Sequence, residues 1–264
     1  MAMIGLVIVG VVVVTAIFAD VIAPHDPLEQ SLDDRLTGPS GKYLLGTDYF
    51  GRCIFSRIIH GSRLALMVGA LFVAVQAGIG VPIGLISGYC GGKIDSIIMR
   101  IVDITISMPG LVLAIVFVGM FGPGIFNVIL AFSITGWARF ARLTRGQVLV
   151  VKEEPYVEAA RAIGEKDRNI LLRYIFPNTV SPIIVVMSLT LPAAILAVSA
   201  MSFLGLGIMP PAPSWGGILA AGREYLMVAP WIAIFPGVAI MITVLGFNFV
   251  GDGLRDALDP RLRD

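Results

Sequence analysis

The chain has 264 residues, of which 57% are hydrophobic and 14% are charged, and its mean hydropathy is +0.90. Soluble domains carry about 25% charged residues, so this composition excludes an ordinary soluble globule. The net charge of +1 excludes an overall basic field of the kind that binds nucleic acid. With only two cysteines the chain is no disulfide scaffold, and we expect an integral membrane protein.

Long uncharged apolar stretches predict membrane-spanning α-helices, because a bilayer core needs about 20 apolar helical residues. Gly122-Pro123-Gly124 separates the third stretch from the fourth, since Gly and Pro together favour a turn. The predicted spans cover residues 1–22, 64–89, 96–121, 125–143, 180–203 and 225–251. The predicted fold is therefore an all-α bundle of six transmembrane helices.

The chain divides into three predicted regions. Residues 1–63 hold the first helix and an extracytoplasmic loop with a short helix at about Arg52 to His60, residues 64–251 form a five-helix core, and residues 252–264 form a mixed-charge tail. Because the chain starts Met-Ala-Met directly at the membrane, we expect that a cytoplasmic leader is missing. A cleaved signal peptide is the alternative interpretation of the first span, which lacks a basic amino-terminal region.

The positive charges predict the orientation, since Lys and Arg concentrate on the cytoplasmic side of membrane proteins. With the amino terminus inside, thirteen of them fall inside and six outside. Both termini are therefore expected to be cytoplasmic, in a multi-pass protein of the plasma membrane.

The predicted inner segment, at about residues 144–178, is charged and helix-favouring. It is much longer than the roughly 4–6 residues of a simple connection. Pro155 suits the first turn of a helix, and Gly164 suits the position just after its end. A second helix is predicted from about Asp167 to Phe176, where Pro177 ends it. The segment has a function of its own, or it is an interfacial helix lying on lipid.

Small residues and prolines mark positions inside the predicted spans. Gly80, Gly84 and Gly88 recur every four residues in the second span, which favours close helix packing. A substrate groove is the alternative role for these glycines. Pro82 and Pro109 would kink the second and third spans, for gating or as structural accommodation.

Ionisable residues in the spans are few. Arg100 and Asp103, three residues apart near the inner end of the third span, are interpreted as a snorkelling arginine with a partner on the same helix rather than as a functional pair. The two histidines have no partner at metal-ligand spacing, and Cys53 and Cys90 fall on opposite sides of the membrane. The sequence predicts no metal site.

Three elements of the sequence together resemble the permeases of ABC importers. Glu158-Ala159-Ala160, followed by Gly164 and Ile175-Phe176-Pro177, resembles their EAA loop. The other two elements are similar to the C-type permease of dipeptide, oligopeptide and nickel importers. They are Leu45-Gly46-Thr47-Asp48 with Gly51-Arg52, and Phe203-Leu204-Gly205-Leu206-Gly207 before a Pro-rich stretch. Cys53 departs from the pattern because relatives usually carry Asp there.

The resemblance implies the type I ABC importer permease fold and a permease subunit for dipeptides or oligopeptides, with nickel or a nickel chelate as the alternative cargo. It also implies a homologous second permease, two cytoplasmic ATPase subunits that bind ATP and Mg, and an extracytoplasmic solute-binding protein. In such a permease Glu158 would contact the ATPase, and Ala159 and Ala160 would allow close docking. Gly164 would form the bend before the helix that ends at Pro177.

The chain itself contains no P-loop, because neither Gly41-Lys42 nor Gly92-Lys93 continues with Ser or Thr. We therefore expect ATP to bind another chain, and this chain to carry no cofactor and no catalytic residue. A secondary transporter is the rival function, but the deep parts of the spans have almost no carboxylates. A membrane-embedded enzyme would need a catalytic cluster at bilayer depth. The residues that touch the substrate are not identified by the sequence.

Overall fold

The computed structural model describes residues 1–258, which are mainly helical. Short 3-10 turns lie at Leu32–Asp34 and Arg223–Tyr225, and a π-helical turn at Ile170–Ile175 joins α8 to α9. The α-helices are α1 (Ala2–Ile17), α2 (Ala19–Ile22), α3 (Ile54–Cys90), α4 (Gly92–Ser107), α5 (Gly110–Phe121), α6 (Ile125–Val151), α7 (Pro155–Ala162), α8 (Asp167–Asn169), α9 (Phe176–Phe203), α10 (Trp215–Gly222) and α11 (Trp231–Leu258).

Three helical stretches are long and apolar enough to cross a membrane, namely Ile54–Cys90, Asp167–Phe203 and Trp231–Leu258. The pair α4 and α5 passes the same test together and counts as a fourth span if the bent pair crosses the membrane as one. Helix α1 is apolar but has only 16 residues, and α6 is long but carries three arginines. The helical membrane fold is confirmed, whereas six spans stay a prediction for α1 and α6.

The predicted third span is wrong as a single helix. It is broken between Ser107 and Gly110, where the axes of α4 and α5 differ by 82°. Met108 has an extended backbone, as a residue before proline prefers, and Pro109 has no N–H to continue the helical ladder.

Two predicted helix boundaries in the second and fifth spans are also wrong. The short helix predicted at Arg52 to His60 is the beginning of α3, because Gly61 does not interrupt that helix but makes room for Trp215. Pro177 does not end a helix. It lies in the first turn of α9, where its missing N–H is tolerated, so the stretch from Asp167 runs on to Phe203.

The carboxyl-terminal half differs from the prediction in two further places. Helix α10 lies between the predicted spans 180–203 and 225–251, where the sequence predicts no helix, and the Ser214 hydroxyl caps it by accepting a hydrogen bond from the Gly217 N–H at 3.2 Å. The last helix begins at Trp231 instead of Tyr225 and continues to Leu258. The predicted tail is therefore helical up to residue 258, and its residues 259–264 lie outside the described part.

Buried apolar side chains form clusters along the bundle. The central cluster joins α3, α6 and α9 and includes Phe132 and Met201. A second cluster, with Val148, lies where α3 and α6 end and α7 packs. A third, with Ile54 and Ile232, lies at the opposite end of α3, beside α10. Helices α3, α6 and α9 thus form the rigid centre of the molecule.

The loop between α2 and α3 is folded by hydrogen bonds to Asp34. Its carboxylate accepts hydrogen bonds from Lys42 Nζ at 2.8 Å and from the hydroxyls of Ser31 and Tyr43 at 2.9 Å each. The hydrogen bond from Lys42, followed by those from Ser31 and Tyr43, lowers the pKa of Asp34 to about 2. Because this pKa is depressed, the contribution of Asp34 to stability is present above pH 3.8 and is lost as the pH falls towards 2.

Cys53 occupies the N-cap position of α3 and makes no side-chain capping hydrogen bond. Serine is a preferred N-cap residue, worth about 1 kcal/mol over alanine, because its oxygen accepts an otherwise unpaired N–H of the first turn. We expect Cys53→Ser to be more stable than Cys53→Ala, which is the matched control that removes the same sulfur. Thermal unfolding in one detergent measures the difference. Equal unfolding temperatures for the two variants would contradict the capping argument.

Candidate coupling surface and transport cavity

The EAA segment, defined here as residues 152–178, begins after α6 ends at Val151, eight residues later than the predicted start at residue 144. Glu154 has an extended backbone and Pro155 follows at the first helical position, where the fixed φ of proline favours helix initiation. Helix α7 then runs to Ala162. The first eight residues of the predicted segment, 144–151, are therefore the end of a long helix, and α7 follows that helix after a short turn.

Gly164 ends α7 in a left-handed conformation, with φ at +79°. The N–H of Glu165 donates to the carbonyl of Ala160 at 3.1 Å, and the N–H of Gly164 donates to the carbonyl of Arg161 at 3.0 Å. These two bonds form a Schellman motif. Open space surrounds the glycine, with nothing within 4 Å of a Cβ built there, so backbone conformation alone favours glycine at this bend.

The inner face of α7 packs on the hydrophobic core of this chain. Val157 is fully buried and Ala160 is 3% exposed. Both belong to the cluster that also holds Val151, Ile170 and Ile175. The side chain of Ala160 therefore faces this chain's own helices, and its docking role stays a prediction.

The outer face of α7 is open to solvent. Glu158 and Ala159 are exposed, Tyr156 is 41% exposed and Ile163 is 78% exposed. The Glu158 carboxylate makes no hydrogen bond or ion pair with any residue between 1 and 258. A free carboxylate among small and apolar side chains is a surface suited to another protein.

A side-chain contact links this segment to α3. The Tyr89 hydroxyl donates to the Asp167 carboxylate at 2.5 Å. The guanidinium of Arg161 lies 5.9 Å from the centre of the Tyr89 ring. These contacts hold the carboxyl-terminal end of α3 against α7 and α8. A displacement of α7 would therefore act on α3 and on the helical stretch from Asp167 to Phe203.

Gly164 gives a direct test of the bend. We expect Gly164→Val to loosen α7 from its packed position, because a left-handed backbone costs non-glycine residues roughly 1–2 kcal/mol. Gly164→Asn is the matched control, since asparagine visits this conformation routinely. Hydrogen exchange of the α7 amides should be faster in the valine variant and near wild type in the asparagine variant. Unchanged exchange in both would show that the bend does not depend on glycine.

A cavity of about 600 Å³ lies at the bend between α4 and α5. Helices α3, α6 and α9 form its other walls. Its uncharged polar lining consists of Gln76, Thr105, Thr135 and Thr190, and two arginines of α6 also reach it. The Gln76 amide donates to the Phe132 carbonyl at 3.2 Å. The break at Pro109 therefore creates a polar-lined space that a straight third span would fill.

Two ion pairs join α4 to α6 next to this cavity. Arg145 binds Asp95 through two hydrogen bonds of 2.5 and 2.6 Å, and Arg142 pairs with Asp103. The interpretation of Arg100 as the partner of Asp103 is thus wrong. Asp103 is three residues from Arg100 on its own helix, but its ion pair is with Arg142 of α6.

A buried charge cluster lies at the other end of α3. Asp48 accepts hydrogen bonds from Arg52 Nε at 2.7 Å and from the backbone N–H groups of Phe50 and Arg52. Arg57 donates to the Pro27 carbonyl at 3.0 Å. Cys53 is buried and lines a small pocket together with His25. Arg52 therefore keeps a carboxylate partner although Cys53 supplies none.

The glycine stripe of α3 lies against α6. A Cβ on Gly80 would be 2.3 Å from the Trp137 carbonyl oxygen, and one on Gly84 would be 2.4 Å from that of Ala141. A Cβ on Gly88 would be 2.7 Å from the Cβ of Val148. The three glycines therefore allow the two helix backbones to touch, which is packing within this chain.

A family model described as "Binding-protein-dependent transport system inner membrane component" matches residues 80–264. The chain belongs to this family. A second model, described as the N-terminal TM domain of oligopeptide transport permease C, matches residues 1–39 of the permease. The two matches include the coupling surface and the first helix, respectively.

Named relatives align along nearly all of this permease. It is 43% identical, over 263 residues, to the dipeptide transport system permease protein DppC of Alkalihalophilus pseudofirmus, covering 100% of this chain and 86% of that protein. It is 46% identical, over 264 residues, to the glutathione transport system permease protein GsiD of Escherichia coli O157:H7, covering 100% of this chain and 87% of that protein.

Solved structures share the fold of the permease. The inward-facing MetNI methionine ABC transporter gives a TM-score of 0.63 at 18% identity, covering 78% of this chain and 98% of that chain. An amino acid ABC transporter crystallised with histidines gives a TM-score of 0.55 at 15% identity, covering 77% and 94%. At these identities the likeness shows the fold alone. It confirms the predicted ABC importer permease fold.

The sequence patterns did not indicate some residues of the permease's candidate coupling surface and cavity. Tyr156 and Ile163 are exposed, and with Ala159 they follow the i, i+3, i+7 spacing of one helix face, so helical periodicity would have indicated both. Gln76, Thr135 and Thr190 meet at the cavity from three different helices. Only the folded bundle brings them together, so no spacing within one helix signals them.

Proposed function

We propose that this permease is one half of the membrane pathway of an ATP-driven importer, and that it carries small peptides. The observation that supports this most is the structure of α7. Its inner face is buried against α6 and the π-helical turn at Ile170–Ile175, while its outer face presents the free Glu158 carboxylate. A stiff helix held in this way transmits a rigid-body displacement from a partner into the bundle.

The relatives favour peptides as cargo. One is named for dipeptide transport and another for glutathione transport, and glutathione is itself a small peptide. Such molecules have free carboxylates and one or two amide groups. The cavity at the α4–α5 bend supplies matching hydroxyl, amide and guanidinium groups and has a volume of about 600 Å³. Small-molecule sites commonly have volumes of about 300–1,000 Å³.

The proposed assembly contains other chains. A homologous second permease would close the pathway, a solute-binding protein would deliver peptide from outside, and two ATPase subunits would hold ATP and Mg. The absence of a P-loop from this sequence agrees with ATP hydrolysis in separate subunits. The distribution of Lys and Arg supports cytoplasmic termini, which would place α7 on the same side as the ATPases.

The test is to express the permease together with the neighbouring genes for a second permease, the ATPases and the binding protein, and to reconstitute the resulting proteins. Mass spectrometry of the tagged complex should find one copy each of two permeases with ATPase subunits. Proteoliposomes should then accumulate a radiolabelled dipeptide or glutathione only with ATP and the binding protein. Accumulation without ATP would contradict the importer, and accumulation of Ni²⁺ but not peptide would contradict the cargo.

A further inference from the structure

Helix α6 has three arginines at three-residue spacing, Arg139, Arg142 and Arg145, near the helix α4 on which it packs. Two of the three are neutralised by α4, because Asp95 pairs with Arg145 and Asp103 pairs with Arg142. The Arg139 guanidinium forms no ion pair or hydrogen bond with the residues that the structure describes, 1–258. It is therefore the one of these three arginines whose charge α4 leaves unbalanced.

The bend in the third span explains this difference. Continuing the pairing by one step along α6 requires a carboxylate beyond Asp103, but α4 ends at Ser107 and the chain turns by 82° into α5. Helix α5 contains no acidic residue. Arg139 lines the cavity of about 600 Å³ that the bend opens, and Arg142, whose charge Asp103 balances, also reaches it.

The surroundings of Arg139 favour an organic anion. Thr105, Thr135 and Thr190 bring hydroxyls to the same cavity, and much of the remaining lining is apolar. Charge interactions are stronger beside apolar walls than in bulk water. A guanidinium matches a carboxylate with two parallel N–H···O hydrogen bonds, a geometry that an ammonium lacks.

We propose that Arg139 binds the carboxylate of the peptide as it passes through this cavity, and that it makes the pathway selective for cargo with a free carboxylate. The hydroxyls and the Gln76 amide would hydrogen-bond the amide groups of the same molecule. The inference rests on the proposed function, because it names the residue by which that function recognises its cargo.

The experiment compares a dipeptide with its carboxyl-terminal amide in proteoliposomes that contain the full complex. The pair is chosen so that calorimetry shows binding of both peptides to the solute-binding protein. Arg139→Gln should lower the uptake rate of the free dipeptide about tenfold or more, which corresponds to the loss of one strong ionic contact. Uptake of the amide should stay unchanged, and Arg139→Lys should recover part of the rate for the free dipeptide.

Arg145→Gln is the matched control, because it removes the same guanidinium from the same helix, at a position that pairs with Asp95 and does not line the cavity. This variant should affect both peptides equally. A second measurement avoids the binding protein: radiolabelled dipeptide should bind the purified complex about tenfold more weakly in Arg139→Gln than in wild type.

Two outcomes would overturn the inference alone. One is wild-type uptake of the free dipeptide by Arg139→Gln, and the other is an equal loss for both peptides, as expected if Arg139 binds lipid phosphates or only supports the fold. If the wild-type complex accumulates neither peptide with ATP, the proposed function fails and the inference fails with it.

Discussion

Replacing Glu158 with lysine is expected to abolish ATP-driven uptake while leaving the permease folded. Glu158 is exposed and has no partner among residues 1–258, so its own contribution to stability is small. Surface substitutions of this kind usually change the free energy of unfolding by no more than about 0.5 kcal/mol. At an interface with an ATPase, in contrast, placing like charges together costs several kcal/mol.

The measurement is uptake and ATP hydrolysis by the same reconstituted complex. Glu158→Lys should lower peptide uptake by more than about tenfold, since each 1.4 kcal/mol lost at an interface is a factor of ten. Glu153→Lys is the matched control: this residue is also exposed, carries the same charge, and lies before α7. Equal uptake by the two lysine variants would remove the coupling role from the outer face of α7.

The sequence predicts α7 well because local signals define it. Pro155 and Gly164 act within a single turn of the backbone, and both do so as expected. The direction of each α7 side chain depends instead on α6 and the π-helical turn at Ile170–Ile175, which pack beside α7 only in the folded chain. This is why Ala160 was assigned to a partner surface although it packs on Ile170 and Ile175.

The cavity at the bend between α4 and α5 could not be predicted from the sequence, for a similar reason. Pro109 indicated a kink, but the angle of 82° and the space it opens depend on how α4 and α5 pack on α6. The pairs of Arg142 and Arg145 with α4 were missed because they join residues far apart in the sequence. Helix α10 was missed because tertiary packing of Gly216 against Ser199 offsets the low helix propensity of glycine.

The second large effect concerns α3, where it packs on α6. Adding one methyl group is expected to lower the stability of the permease at one glycine of this helix, and to leave it unchanged or raise it at another. In Gly84→Ala the new Cβ would lie 2.4 Å from the Ala141 carbonyl oxygen and 2.7 Å from the Thr144 Cβ. Neither is the end of a flexible side chain, so the helices must separate. Overpacking of this kind costs about 1–3 kcal/mol.

Gly78→Ala is the control on the same helix, because nothing lies within 4 Å of its Cβ. There the substitution should be neutral or stabilising, since alanine is favoured over glycine in a helix by about 1 kcal/mol. Thermal unfolding in one detergent should show a lower midpoint for Gly84→Ala and no decrease for Gly78→Ala. Adding Gly80→Ala to Gly84→Ala should lower it further, because the Trp137 carbonyl blocks that position too. If both single variants unfolded at the wild-type temperature, α3 and α6 would not be in backbone contact, and the ion pairs and the cavity that depend on α6 would lose their support.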